Sequence, residues 1–467
     1  MAPLEAKQGS VSDSLSKKSY LTRLQHFSFA GVFALSIFSI SICLGLIYPI
    51  VTIVLKSDAM GKRSDLVVGV FSALNSLAMM TGSVLGVRVM SRFGTFPTYF
   101  AAVMVDVVLI IALYFTIGHI FVWLLIYCLF GFISSIPWVV AEIWLNTIHN
   151  EKYRAMCIGL YTTLLGTGLA LGPLLLSIFN PLHFPVYLIC AICGSLNPVI
   201  LTLVASTAPD SESSPISFRG VWSALKLCPL FPFVAVFFGG IHVIHDNLMI
   251  AYSLDMGLTQ AVAGQLLSVM LIGNIIFQIP YSIILKVIGT RNMLFSVLLI
   301  LIFSSALIML GYYLLFLTTT HHFPSKGIQW YVAHEIIDHI LHGAMVLYGA
   351  AVMGSYSLPV VWVGSGYPAS MYGPATTLYL FCTQLGGVMI PFCLGFAMKI
   401  LPQLLYICII GGGMFMLALC AVYFIFSGGR LQIRFISDMD SDMESICTED
   451  GEMETALLGI SPEESLV

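Results

Sequence analysis

The segments Arg92-Phe-Gly94-Thr and Lys286-Val-Ile-Gly289-Thr-Arg291 decide the fold, because the chain contains one short basic turn twice. Each copy ends in Gly-Thr, or Gly-Thr-Arg, and lies between two long apolar stretches, and the two glycines are 195 positions apart. A repeat of about two hundred residues indicates a duplicated bundle of six membrane-spanning helices. Duplicated bundles of this kind are typical of secondary transporters.

The composition indicates an integral membrane protein. Of the 467 residues, 58% are hydrophobic and only 9% are charged, whereas soluble domains carry roughly 25% charged residues. A helix needs about 20 predominantly apolar residues to cross a bilayer. Twelve segments meet this requirement, and we number them spans 1 to 12: 28–53, 67–89, 97–117, 120–145, 155–178, 184–206, 229–253, 261–285, 293–316, 330–354, 373–398 and 402–427. We therefore predict an all-α membrane protein with twelve transmembrane helices in two pseudo-symmetric six-helix bundles.

The basic residues predict the orientation. With the N-terminus in the cytoplasm, 14 of the 19 Lys and Arg residues lie on the cytoplasmic side, which is the positive-inside pattern. Both termini are therefore predicted to be cytoplasmic, in a plasma or inner membrane, with an endolysosomal membrane as the alternative. The predicted division is a cytoplasmic tail (1–27), an N-terminal bundle (28–206), a cytoplasmic linker (207–228), a C-terminal bundle (229–434) and an acidic tail (435–467).

The C-terminal tail is strongly acidic. Ten Asp and Glu residues and no Lys or Arg follow Arg434, a composition that predicts disorder and a docking segment for a cytosolic partner. Leu457 and Leu458 follow Glu454 at a spacing close to that of an acidic dileucine sorting signal, and the alternative is a solvated tail with incidental leucines. No basic patch with interleaved aromatic residues occurs, so no nucleic-acid partner is predicted. No cofactor is predicted either.

The two turns resemble the loop between spans 2 and 3, and its repeat between spans 8 and 9, of the major facilitator superfamily. That loop reads roughly Gly-x-Leu-Ala-Asp-Arg-x-Gly-Arg-Arg. Ser91 and Lys286 stand where the family has its acid, so an acid-based latch does not carry over. The resemblance implies two bundles that rock about a central site, and it implies a cytoplasmic gating role for the bases and glycines of the turns: Arg88, Arg92, Gly94, Lys286, Gly289 and Arg291.

Spans 4 and 5 carry a second resemblance to this superfamily. Gly159, Gly168, Gly172 and Pro173 are similar to its span-5 antiporter motif. The alternative is that these glycines only allow close helix packing, with a kink at the proline. The segments Glu142-Ile-Trp-Leu-Asn146, Asp246-Asn-Leu and Leu347-Tyr348 are similar to a poorly characterised bacterial-type branch. Glu142 and Arg154 flank a short inner loop, where we predict an ion pair of low energetic value.

Ionisable residues within spans 7 and 10 are the candidate site. Such groups are costly at membrane depth and usually serve function. The resemblance implies that spans 1, 4, 7 and 10 line the central cavity. At about 1.5 Å per residue, His245 and Asp338 would both lie roughly 12 Å below the outer boundary. We therefore expect one shared cluster of proton or substrate ligands: His242, His245, Asp246, Glu335, Asp338, His339 and His342.

Three interpretations of this cluster stay open. It exchanges protons, it binds a divalent metal, or it is a polar network that fixes helix packing or sits in the wet external mouth. The sequence favours a secondary active transporter that moves a small solute by alternating access with proton coupling. The alternatives are a non-transporting sensor or adaptor and a divalent-metal transporter, and no enzymatic activity is predicted.

Two further expectations concern solute and packing. Because no Lys or Arg lies in the middle of a span, a neutral, cationic or zwitterionic solute is favoured over a multiply anionic one. Asp106 is expected to face lipid or the back of the bundle, and Cys190 and Cys193 are expected to be packing residues.

Overall fold

The computed structural model describes residues 5–146, 151–203, 218–320, 328–368 and 371–427, some of them by their backbone alone. Within these ranges, twelve helical segments are long and apolar enough to cross a membrane. They are Gly31–Lys56, Asp65–Phe93, Thr95–Phe115, Ile120–Ala141, Gly159–Ser177, Phe184–Thr202, Leu230–Asp255, Gln260–Leu285, Val287–Leu315, Glu335–Val363, Pro374–Ile400 and Leu404–Phe426. The predicted all-α fold with twelve spans is confirmed.

Several helices extend beyond these spans. Span 1 belongs to the helix Glu5–Lys56, span 4 to Ile120–Asn146, span 5 to Glu151–Leu174, span 10 to Ile328–Gly366 and span 11 to Tyr372–Ile400. Spans 8 and 9 form one segment, Gln260–Thr320, that bends at Gly289. The acidic tail and most of the linker lie outside the described residues, so the predictions made for them stay predictions.

The doubled turn has the same backbone shape in both copies. Gly94 has φ 87° and ψ 158°, and Gly289 has φ 78° and ψ 164°. L-amino acids rarely adopt these angles, and glycine adopts them without a Cβ penalty. A Cβ at Gly289 would meet nothing within 4 Å, so the backbone angles, rather than crowding, require glycine there. The side of the molecule that carries both turns is called the Gly94 face, and the opposite side the Lys56 face.

Each half of the chain forms its own bundle. Span 1 packs against spans 5 and 6, and span 3 against spans 4 and 6. In the second half, span 7 packs against span 11, and span 10 packs against the segment Gln260–Thr320. Fully buried aromatic rings fill the interiors of both bundles: Phe33, Tyr99 and Trp144 in the first, and Phe231 and Trp362 in the second.

The two bundles contact each other closely near the Lys56 face. A Cβ added to Gly69 of span 2 would lie 2.5 Å from the carbonyl oxygen of Pro391 in span 11. One added to Gly264 of span 8 would lie 2.6 Å from the carbonyl oxygen of Pro173 in span 5. Neither position has room for a side chain, because the obstructing atoms are backbone. Spans 2 and 11, and spans 5 and 8, therefore form the seams between the bundles.

The end of the predicted linker is a short helix, Phe218–Leu227, which joins span 7 through Cys228 and Pro229. Its inner side packs on the C-terminal bundle, where the Tyr367 hydroxyl donates to the carbonyl oxygen of Ala224 at 3.2 Å. Burial raises the pKa of the Cys228 thiol to about 12. Ala224, Leu227 and Cys228 are buried, so the linker helix is packed against the C-terminal bundle on the Gly94 face.

Candidate functional site

The pair His245 and Asp246 lies in the second half of span 7. The buried His245 ring donates from Nδ1 to the carbonyl oxygen of Ile241 at 3.2 Å, since a carbonyl can only accept. Its other nitrogen, Nε2, is 3.2 Å from Oδ1 of Asp246. A neutral imidazole with its proton on Nδ1 has only a lone pair at Nε2, and a carboxylate has no proton to give. The contact is therefore favourable only when the pair holds one additional proton.

His242 lies one turn away and extends this group toward span 10. Its ring centroid is 5.6 Å from that of His245 and 5.8 Å from that of Tyr356 in span 10. The His242 Nε2 is buried and has no hydrogen-bond partner among the described residues. Most buried polar atoms in proteins are hydrogen-bonded, so this nitrogen is a candidate acceptor for a hydrogen bond from a water molecule or a solute.

The N-terminal bundle contributes two tyrosines to the same region. Tyr48 of span 1 and Tyr127 of span 4 carry phenol hydroxyls, and that of Tyr127 is buried with no hydrogen-bond partner among the described residues. Tyr48, Tyr127 and Asp246 are eight, seven and nine residues from the ends of their spans on the Lys56 face. At about 1.5 Å per residue, all three lie at nearly the same depth. Spans 7 and 10 thus meet at His242 and Tyr356, and Tyr48 and Tyr127 of spans 1 and 4 lie at a similar depth in the other bundle.

The prediction of one cluster shared by spans 7 and 10 is wrong in its geometry. Tyr356, which contacts His242, is 18 residues from Asp338, or about 27 Å along the helix. The sequence prediction ended span 10 at residue 354, whereas the span continues to Val363. The ionisable residues that precede Gly343 are therefore displaced toward the Lys56 face, beyond the level of the span 7 group.

The span 10 residues form a separate group at the Lys56 face. Glu335 and His339 are exposed, and His339 donates from Nδ1 to the carbonyl oxygen of Glu335 at 2.7 Å. His342 donates in the same way to Asp338 at 2.8 Å, and its ring nitrogen lies 3.4 Å from the Asp338 carboxylate. These contacts are local to one helix and agree with the external-mouth interpretation. Among the described residues, no three His, Cys, Asp or Glu side chains are placed to hold a metal ion.

Asp106 of span 3 is buried, contrary to expectation. Only 4% of its surface is exposed, and its Oδ1 has no hydrogen-bond partner among the described residues. Span 3 packs on spans 4 and 6, so the buried Asp106 faces the interior of the N-terminal bundle and not lipid. Cys43 and Cys190 are buried there as well.

Two glycines of the antiporter-like motif, Gly168 and Gly172, pack against span 1 of the same bundle. A Cβ at Gly168 would lie 2.6 Å from the Cβ of Ser41, and Gly172 meets the backbone of Gly45, both in span 1. Gly159 has open space around it. Pro173 alone faces the other bundle, through its contact with Gly264. The structure thus gives Gly168 and Gly172 a packing role, and antiport stays a prediction.

The basic side chains of the turns lie on the surface of the Gly94 face. Arg88 and Arg92 are exposed, and Arg92 lies 5.5 Å from the ring centroid of Phe93. Arg291 lies 5.0 Å from the ring centroid of Phe424 in span 12. The side chains of Lys286, Glu142 and Arg154 lie outside the described residues, so the predicted inner-loop ion pair stays a prediction.

An ion triad at the Lys56 face was not predicted. The Lys56 ammonium, at the end of span 1, is 2.5 Å from Oδ1 of Asp65 at the start of span 2. It is also 2.7 Å and 2.8 Å from the two carboxylate oxygens of Asp255 at the end of span 7. The side chains are only 13%, 8% and 22% exposed, so the triad is shielded from solvent and joins the two bundles. The sequence did contain a signal for this contact. Lys56 and Asp255 are the last residues of spans 1 and 7, which are equivalent in the two halves, and they carry opposite charges.

The comparisons with known proteins agree with this architecture. A curated relative, the uncharacterised MFS-type transporter YfkF of Bacillus subtilis (strain 168), is 24% identical over 271 residues. That alignment covers 55% of this chain and 65% of the relative, so the chain spans just under two thirds of the relative's length. The relative fits the bacterial-type branch that the sequence resembles.

Solved transporter structures share the fold. A mutant of the nucleoside transporter NupG superposes with a TM-score of 0.64 at 13% identity, covering 84% of this chain and 100% of that one. A POT family transporter in complex with a thioalcohol-conjugated peptide gives 0.64 at 14% identity, covering 85% and 96%. A D-xylose–proton symporter gives 0.58 at 11% identity, covering 83% and 97%. At these identities the likeness shows the fold alone. A family model of the Major Facilitator Superfamily matches residues 33–391, and the chain belongs to that superfamily.

Proposed function

We propose that this chain is a proton-coupled secondary transporter that moves a small solute by alternating access. The pair His245 and Asp246 carries the proposal, because its 3.2 Å contact between two acceptor atoms requires a proton that the neutral ring and the ionised carboxylate lack together. Asp, Glu and His side chains within membrane spans are the usual proton carriers of pumps and transporters. The pair lies between the bundles, where a solute and a proton would meet.

The solute would bind beside this pair. His242 contributes an unpartnered ring nitrogen with the Tyr356 ring beside it, and Tyr48 and Tyr127, at the depth of Asp246, would supply hydroxyls from the other bundle. The described side chains of this site include one carboxylate and no Lys or Arg. This donor set suits a neutral, zwitterionic or singly cationic solute, and it offers no cation to neutralise a multiply anionic one.

In an alternating-access cycle, this site would open first to one side of the membrane and then to the other. In the described conformation the bundles are joined at the Lys56 face by the ion triad and by the contacts of Gly69 and Gly264. With both termini cytoplasmic, as the basic residues predict, the Lys56 face is external. The proton carried by His245 and Asp246 would be released or taken up as the bundles rock and change the pair's access to solvent.

The first prediction tests Asp246. Purified protein is reconstituted in vesicles with a trapped pH-sensitive dye, and a panel of neutral, zwitterionic and cationic metabolites is added one at a time. For any solute that moves protons, Asp246→Asn should abolish solute-driven proton movement, a loss of at least about tenfold. The amide can donate to Nε2 of His245 itself, so the pair no longer needs a proton. Exchange of labelled solute across the vesicle membrane should persist.

Asp338→Asn is the matched control. It neutralises an acid of the same type on span 10, at the Lys56 face and about 27 Å along the helix from Tyr356, and it should leave coupling unchanged. Proton coupling that survives Asp246→Asn would overturn the proposed coupling site. An equal loss of proton coupling in both variants would support the original hypothesis of one cluster shared by spans 7 and 10.

A further inference from the structure

The group formed by His242, His245 and Asp246 presents several hydrogen-bond acceptors close together. Nε2 of His245 and Oδ1 of Asp246 are 3.2 Å apart, and both accept when the pair lacks its additional proton. His242 and Asp246 are four residues apart and therefore lie on the same side of the helix. Nε2 of His242 is buried without a hydrogen-bond partner among the described residues, and it accepts when the ring carries its proton on Nδ1.

No basic residue of the spans lies at the depth of this group. Every Lys and Arg within the twelve spans is at most five residues from a span end, whereas Asp246 is nine residues from the nearer end of span 7. The base at that end of the bundles is Lys56, which is already bonded to Asp65 and Asp255. An ionisable group at membrane depth requires a partner, so a cation from outside the chain suits Asp246.

Asp246 is the accessible member of the group. Its side chain is 34% exposed, whereas that of His245 is only 5% exposed. Span 7 packs on spans 1 and 2 of the other bundle and on spans 10 and 11 of its own. The exposed part of Asp246 therefore faces the space between the bundles, where a solute can reach the carboxylate.

A primary ammonium group matches these acceptors in both charge and number. It carries one positive charge and three N–H donors, and it accepts no hydrogen bond. Hydrogen bonds from a cation to a carboxylate are roughly twice as strong as those between neutral groups. An alcohol offers one donor and no charge, and a quaternary ammonium offers the charge and no donor.

We infer that the group His242, His245 and Asp246 binds the primary ammonium group of a solute. The bound ammonium donates to Nε2 of His245 and to the Asp246 carboxylate, and it takes the place of the additional proton that their contact requires. The solute is an amine without a carboxylate of its own, since no basic residue at this depth can pair with one. This inference rests on the proposed function and names the class of solute for the same site.

The test uses three probes of nearly equal size and shape: tert-butylammonium, tetramethylammonium and tert-butanol. A ligand that binds the folded state raises the unfolding temperature by mass action, so thermal unfolding of the purified full chain is measured against probe concentration near neutral pH. The same titrations on Asp246→Asn give the effects that do not depend on the site. Tert-butylammonium should stabilise the wild type at a roughly tenfold lower concentration than tetramethylammonium, which corresponds to one hydrogen bond with a charged group.

The three probes separate charge from hydrogen bonding. Equal stabilisation by the two cations would show that the site recognises only charge, and equal stabilisation by tert-butanol would show that it needs no charge. Either result would overturn the inference. A wild type that tert-butylammonium stabilises no more than it stabilises Asp246→Asn would overturn it as well.

Variants of His242 test the third acceptor. His242→Phe keeps an aromatic ring beside Tyr356 but removes the ring nitrogen, and it should reduce the preference for tert-butylammonium by about fivefold. His242→Gln retains an acceptor oxygen and should keep most of the preference. His339→Phe changes an exposed histidine at the Lys56 face and is the matched control. An unchanged preference in His242→Phe would contradict a site with three acceptors.

Two combinations of results distinguish this inference from the proposed function. If both cations stabilise equally while Asp246→Asn abolishes solute-driven proton movement, the ammonium site is rejected and the coupling site stands. If tert-butylammonium is preferred while proton coupling survives Asp246→Asn, the ammonium site stands and the coupling site is rejected.

Discussion

Lys56 carries the positive charge of the triad that joins the two bundles at this face. One ammonium group is bonded to two carboxylates, Asp65 of its own bundle and Asp255 of the other. Removing the cation leaves two shielded carboxylates facing each other without a partner. Truncating one member of a buried, hydrogen-bonded charge pair typically costs roughly 2–5 kcal/mol. This cost destabilises the conformation in which the Lys56 face is closed, because the three groups meet only in that conformation.

The second prediction follows from this arrangement. Lys56→Gln should shift the population toward conformations in which the Lys56 face is open. Distance measurements between spectroscopic labels at Arg63 and Lys399, on opposite bundles, should show a longer separation in the variant. Lys62→Gln is the control, because its ion pair with Asp58 is 72% and 88% exposed and lies within one loop; exposed pairs contribute little. Unchanged distances in Lys56→Gln would show that the triad does not hold the face closed.

At the scale of helices, the close seam between spans 5 and 8 gives the third prediction. Gly264→Ala places a Cβ 2.6 Å from the carbonyl oxygen of Pro173, a distance that no rotamer relieves. The seam must widen, and the closed Lys56 face should lose stability relative to the open one. Gly159→Ala adds the same methyl group where nothing lies within 4 Å and should have no effect. The distance between spectroscopic labels at Arg63 and Lys399, as for Lys56→Gln, measures both variants.

The same scale shows what the sequence can and cannot predict. The turns at Gly94 and Gly289 were predictable, because each half of the sequence contains a basic turn with Gly-Thr between two apolar segments. The glycine is needed there because the backbone has a positive φ. The depth of span 10 was not, since the helix Ile328–Gly366 is longer than a bilayer requires and hydropathy does not reveal which part is embedded. The triad of Lys56 was missed because its members are up to 199 residues apart, and each alone resembles an ordinary charge at a span end.

For the molecule as a whole, the central question is whether the bundles must separate at the Lys56 face for the chain to work. The pair Lys56 and Asp255 crosses between bundles, whereas Lys56 and Asp65 lie within one bundle, and both contacts share the same lysine. Cysteines at either pair, in a background with the exposed Cys393 and Cys408 replaced by serine, can be joined by a short reagent that forms reducible bonds with two thiols. Only the first bridge would prevent rocking of one bundle against the other.

The fourth prediction is that the two bridges act differently on transport. Joining Lys56→Cys to Asp255→Cys should stop solute-driven proton movement nearly completely, because a cycle of alternating access cannot proceed with one face held shut. Reduction should restore the rate that the same variant had before bridging. Joining Lys56→Cys to Asp65→Cys should leave the rate unchanged, since both residues move with one bundle. Transport that continues through the first bridge would contradict rocking at this face. A sensor or adaptor that moves no solute would show no flux before bridging, after it or after reduction, whichever pair is joined.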